Sequence, residues 1–186
     1  MIIPQIFKYN SIISVPLFAI VALYLIRRVP DFSFHKLTFS KTIYFLKHPA
    51  QVLIFRLNFV VKALLDFGFA LFILNRFQIS LTSPIAISLI LSAFLFGTLA
   101  YFIEGRYSIL HIFVVYTSGV LWAAGQLLVA KLTGNSPFFI YSVICLLTPV
   151  VLGFGFLFAR KISVFIQAVC IFIWYFWLIT FTLLFL

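Results

Sequence analysis

Negative charge is almost missing from this chain: Asp31, Asp66 and Glu104 are its three carboxylates. None stands near another in sequence, so a catalytic carboxylate pair has no support. Cysteine is nearly as scarce, and Cys145 and Cys170 both fall inside apolar stretches, where a thiol behaves as a small buried hydrophobe. Without a Cys-x-x-Cys spacing there is no basis for a zinc site or a disulfide framework. His35, His48 and His111 could be joined by Glu104 as metal ligands, but no two of these lie three or four residues apart, so no metal is expected. Gly-x-Ser-x-Gly, the P-loop and His-Glu-x-x-His are all absent, and no cofactor is expected.

What the chain does have is apolar length. Of its 186 residues 65% are hydrophobic and 9% charged, where a soluble domain carries roughly 25% charged residues. The apolar residues form blocks near 10–26, 50–74, 84–103, 109–130, 138–158 and 163–185. Blocks of about 17–25 residues match a hydrocarbon slab roughly 30 Å thick. Unbroken Leu/Ile/Phe/Val runs mean helices, since barrel strands would alternate polar and apolar. The predicted fold is an all-α integral membrane protein, a single-domain bundle of about six transmembrane helices. The first span could be a signal peptide, but five further spans and the Arg27–Arg28 stop favour an uncleaved helix. Pro49, Pro84 and Pro137 stand at span starts, while Pro16 and Pro149 fall inside spans and are expected to kink them. Gly105 and Gly134 lie in tight connections, and the 26 Phe residues read as lipid-facing bulk. No internal repeat and no extramembrane domain is visible, so any function must be built within the membrane.

The formal charge of +10 on a soluble protein would suggest nucleic acid. Here the basic residues gather in short connections beside apolar spans, the pattern of topology signals, and no nucleic-acid partner is expected. The connections after spans one, three and five hold Arg27, Arg28, Lys36, Lys41, Lys47, Arg106, Arg160 and Lys161; the opposite side holds Lys8, Arg76 and Lys131. Eight against three places the first group in the cytoplasm and both termini outside. Within the long connection, Phe39, Ile43 and Leu46 share one helical face and the Lys residues lie elsewhere, which predicts a short interfacial helix or an irregular basic loop.

The second span is the exception. Arg56, Asn58, Lys62 and Asp66 interrupt it, and the last three are spaced i, i+4, i+8 along one stripe. Each central charge costs ~2.5–3.5 kcal/mol on insertion and each large apolar residue returns roughly 0.3–0.6, so this helix is a poor lipid-facing span. Lys62 can pair with Asp66 one turn away. Two readings stay open: a solute, ion or head-group site near the midplane, or an ion pair that locks packing. On one membrane side Arg56, Glu104 and His111 are expected to line the mouth of a pocket between spans two and four. Lys62 and Asp66 would form its floor, with His35 and His48 able to cover it. A Glu and a His beside an Arg could transfer protons or grip phosphate; alternatively Glu104 and Arg106 cap a turn and His111 satisfies a carbonyl. Gln126 and Gln167 read as interhelical glue.

Phe39–Ser40, Pro49, Phe55 with Asn58–Phe59, and His111 at the start of the fourth span resemble, in that order, two related six-helix membrane families. One is the prokaryotic domain-of-unknown-function family 998; the other holds the damage-regulated autophagy modulators and Frag-type proteins of lipid remodelling. The Gly of that pattern after Ser40 is missing, and Arg56 and Lys62 stand where it has uncharged residues. The resemblance implies membrane-lipid handling in a prokaryotic plasma membrane. The leading expectation is therefore a one-sided pocket for an anionic lipid head group, formed by Arg56, Asn58, Lys62, Asp66, Glu104 and His111. A small proton-linked transporter using Lys62–Asp66 is the alternative, and an accessory subunit whose stripe meets a partner helix is a third; a membrane-protein partner or a homo-oligomer stays open.

Overall fold

The computed structural model of the protein describes residues 4–102, 108–159 and 163–186. Among the described residues there is no strand, and six α-helices follow one another: α1 Asn10–Ile26, α2 Pro49–Arg76, α3 Pro84–Thr98, α4 Ser108–Leu132, α5 Ser136–Phe158 and α6 Val164–Phe185. A 3-10 segment, Gln5–Tyr9, leads into α1, and another, Phe39–Phe45, lies in the α1–α2 connection. Five helices are long and apolar enough to cross a membrane, α1 being counted with its 3-10 lead. The third expected span is shorter than 84–103. α3 has 15 residues and rises about 22 Å at ~1.5 Å per residue, after which the chain turns through Leu99–Phe102.

The helix starts follow from local chemistry. Pro49 and Pro84 open α2 and α3, and Pro137 is the second residue of α5, where a missing N–H costs nothing. Ser83 Oγ accepts from the Ala86 amide at 3.1 Å and Asn135 Oδ1 from the Phe138 amide at 2.9 Å, so α3 and α5 begin capped. Gly134 ends α4 at φ +69°, a left-handed turn that a side chain resists; Gly105 lies outside the described residues.

Each helix packs on the next, and α6 returns to α1, so the bundle closes on itself. In lipid the hydrophobic effect does not hold helices together; close approach and interhelical hydrogen bonds do, the bonds at roughly 0.6 kcal/mol each. Among the described residues four seams have one. Asn58 Nδ2 donates to the Phe18 carbonyl (α2 to α1, 3.1 Å), Ser92 Oγ to the Ser118 carbonyl (α3 to α4, 2.6 Å) and Tyr116 Oη to the Gly153 carbonyl (α4 to α5, 2.6 Å). Trp174 Nε1 donates to the Leu146 carbonyl and Trp177 Nε1 to Ser142 Oγ, binding α6 to α5. At the α2–α3 seam the backbones come close instead, a Cβ added at Gly97 meeting that of Ala63 at 3.1 Å.

Two aromatic clusters fill the interior. At the end holding the α1–α2 connection, Phe18, Phe39, Phe55 and Phe59 pack with ring centroids 5.1–5.8 Å apart. At the other end Phe138, Trp177 and Phe181 stack against Phe69 and Leu146. These Phe residues are core, not lipid-facing bulk; the outward apolar residues include Ile109, Phe158 and Leu183, at 75–87% exposure. Such a surface suits only an apolar surrounding, and the architecture is that of a multi-pass membrane protein. The 3-10 segment Phe39–Phe45 belongs to the first cluster, with Phe39, Ile43 and Leu46 all buried against protein rather than spread on a membrane surface. It is tied to the start of α6 as well, where Gln167 Oε1 accepts from the Phe39 amide, and the free amides of Val164 and Phe165 donate to the Leu37 and Phe34 carbonyls.

Candidate functional site

The polar stripe of α2 lies between the two clusters and faces α1. Asp66 is 5% exposed. Its Oδ1 accepts from Ser11 Oγ at 2.9 Å and Ser14 Oγ at 2.7 Å, and its Oδ2 accepts from the Lys62 ammonium. Ser14 Oγ is also 3.0 Å from the Ser11 carbonyl, but it has one proton, which serves the nearer and charged acceptor. Lys62 is half-buried, with its ammonium 4.9 Å from the centre of the Phe96 ring of α3. Asn58, one turn back, holds the Phe18 carbonyl of α1. Lys62 is thirteen residues from Pro49 and fourteen from Arg76, about 20 Å from either end of the helix. A carboxylate and an ammonium therefore meet near the middle of the longest helix.

Sequence spacing anticipated the Lys62–Asp66 pair but not its partners. Ser11 and Ser14 are three residues apart in the first span, a pair of small hydroxyls on one face. That spacing was the available signal; which helix the carboxylate faced was not. The stripe is satisfied within the chain by α1, rather than left open toward a partner helix.

Of the expected mouth, Arg56 and His111 fall within the described residues. Arg56 is exposed on the outward face of α2, with Leu53, Leu57 and Leu64. Two residues at ~100° each carry Asn58 about 160° around the helix from it, so Arg56 and Asn58 face opposite ways. His111 is buried, and its Nδ1 donates to the Phe102 carbonyl at 2.6 Å, clasping the end of α3 to the start of α4. Glu104 and Arg106 lie outside the described residues. His35 rests against Phe165 and His48 precedes α2 exposed, so neither covers the stripe. Gln167 ties α6 to the α1–α2 connection rather than to another span, and Gln126 is fully buried with no hydrogen-bond partner among the described residues. Among the described residues no three His, Cys, Asp or Glu side chains gather as a metal site.

A second polar feature sits at the end of α1. Ile20, Leu23, Tyr24, Arg27 and Arg28 line a shallow, open groove along one exposed face of α1, aliphatic along the helix and cationic at its end. The Arg28 guanidinium lies 5.1 Å from the centre of the Tyr24 ring.

Compared with known proteins, the chain matches no family model, no curated protein and no solved structure. The likeness carried by Phe39–Ser40, Pro49, Phe55, Asn58–Phe59 and His111 stands on those residues alone.

Proposed function

We propose that the protein binds the head group of an anionic membrane lipid, at the groove on α1 rather than between α2 and α4. The observation that carries the reading is the lining of that groove. Two guanidiniums at the helix end follow directly on exposed Ile20 and Leu23, the order in which a lipid presents phosphate and then acyl chain. A guanidinium grips phosphate oxygens in pairs, and Tyr24 has the amphipathic ring favoured at the water–lipid boundary. Arg56 lies seven residues inside α2, about 10 Å from its start, and its long stem reaches the same head-group layer from the outward face. The excess of Lys and Arg at this end supports placing it in the cytoplasm, both termini outside, with all six helices crossing a prokaryotic plasma membrane whose inner leaflet is anionic.

Native mass spectrometry of protein purified from a phosphatidylglycerol-containing membrane tests the reading. The R27A/R28A variant is expected to retain several-fold less phosphatidylglycerol than wild type, and Arg76→Ala, at the opposite end, to retain as much. Equal retention by R27A/R28A and wild type would remove the groove as a head-group site.

A further inference from the structure

We propose that the α1 groove takes a lipid with two phosphates joined by a short bridge, one phosphate for each arginine; this rests on the head-group reading above. Residues four apart stand one above the other on a helix, whereas consecutive residues are turned about 100° from each other. Ala19, Leu23 and Arg27 therefore form one row along α1, and Ile20, Tyr24 and Arg28 form the next, all six exposed. Arg27 keeps helical backbone at φ −63° and ψ −14°, and its amide donates to the Leu23 carbonyl at 3.1 Å, so it continues the first row. The Arg28 guanidinium, 5.1 Å from the centre of the Tyr24 ring, continues the second. The groove runs along two rows, and each row ends in its own cation.

Two guanidiniums at the ends of separate rows suit two phosphates better than one. Closing both on a single phosphate would draw Arg28 off the Tyr24 ring, where attraction to the ring face holds it. A guanidinium seated over a ring keeps the N–H groups at its edge for an anion. Tyr24 is thus a positioning residue for Arg28, through its ring rather than its hydroxyl. Charge fits as well. The lining has two positive charges and no carboxylate, Asp31 being outside it, and two phosphodiesters bring two negative charges. Behind the cations both rows are apolar, Ala19 and Leu23 on one and Ile20 with the Tyr24 ring on the other, so acyl chains from either phosphate have a row to lie on.

Native mass spectrometry of delipidated protein mixed with cardiolipin and phosphatidylglycerol at equal total phosphate tests the assignment. Wild type is expected to retain cardiolipin several-fold over phosphatidylglycerol. Arg27→Ala and Arg28→Ala are each expected to bring cardiolipin down to the phosphatidylglycerol level. Tyr24→Phe, which keeps the ring, is expected to preserve the preference, and Tyr24→Leu to weaken it as Arg28→Ala does. No preference in wild type, with both lipids still depleted from R27A/R28A, would overturn the two-phosphate assignment and leave the head-group reading standing. A cardiolipin preference that survives in both single arginine variants would overturn it too. Undiminished retention of both lipids by R27A/R28A would remove the head-group reading itself.

Discussion

Asp66 shows how much one residue depends on neighbours that its own helix does not supply. Of its three hydrogen-bond donors, one comes from a turn earlier on α2 and two come from α1. Breaking a buried ion pair from one side leaves an uncompensated charge and costs about 3–5 kcal/mol, whereas replacing both partners with apolar groups is far milder. Lys62→Met and Asp66→Leu are each expected to lose stability on that scale, and K62M/D66L to lose much less. The two serines left behind can turn their protons to carbonyls of their own helix. Unfolding in detergent measures all three; a double variant as unstable as the worse single one would show that the pair contributes through something other than charge. His111 is the contrasting case, a titratable residue at a helix start whose ring is spent on holding a backbone carbonyl.

Among the elements, α3 and α4 depend most on close approach. A Cβ at Gly125 of α4 would lie 2.7 Å from Leu89 Cδ2 and 3.3 Å from Ser88 Cβ, and Leu89 is fully buried, with nowhere to move. Gly155 of α5 has nothing within 4 Å of such a position. Gly125→Ala is therefore expected to cost about 1–3 kcal/mol by overpacking, and Gly155→Ala to be neutral or slightly stabilising; thermal unfolding of the two variants side by side decides it. Equal effects would mean that the α3–α4 seam is looser than its geometry. The α1–α2 connection is the other element whose behaviour depends on neighbours. Its Phe39, Ile43, Leu46 face was legible as helical periodicity, yet the first two are 3-10, Leu46 follows in extended backbone, and all three pack inward, because Phe18, Phe55 and Phe59 offer an aromatic surface that lipid would otherwise meet.

For the whole molecule, the asymmetry of charge carries the proposed orientation. The same end of the bundle holds Arg27, Arg28, Lys36, Lys41 and Lys47, and the start of α6 is bonded to that connection. The proposed cytoplasmic position rests on the positive-inside rule. Exposed Lys47 is the position to probe, since Ser40 is buried. In a background with Cys145 and Cys170 replaced, Lys47→Cys is expected to resist a membrane-impermeant thiol reagent in intact cells and to react after lysis. Ready labelling of intact cells would invert the molecule and move the α1 groove to the outer leaflet.

The helical class, five of the span positions, the proline starts and the Lys62–Asp66 pair could all be read from the chain, because each depends on residues within a turn or a span of one another. Hydrocarbon thickness and backbone hydrogen bonding leave a run of twenty apolar residues no other choice. The set of residues that meet was decided by the tertiary structure alone. A rotation of one helix about its axis leaves its hydropathy unchanged, yet it sets whether Arg56 or Asn58 faces inward and whether Asp66 meets α1 or α4. That rotation is chosen by the packing of Phe18 on Phe59 and Ala63 on Gly97, and by the bond from Asn58 to α1, contacts between residues 34 to 41 positions apart. The serines of the first span became ligands of the carboxylate in the second only when those contacts formed.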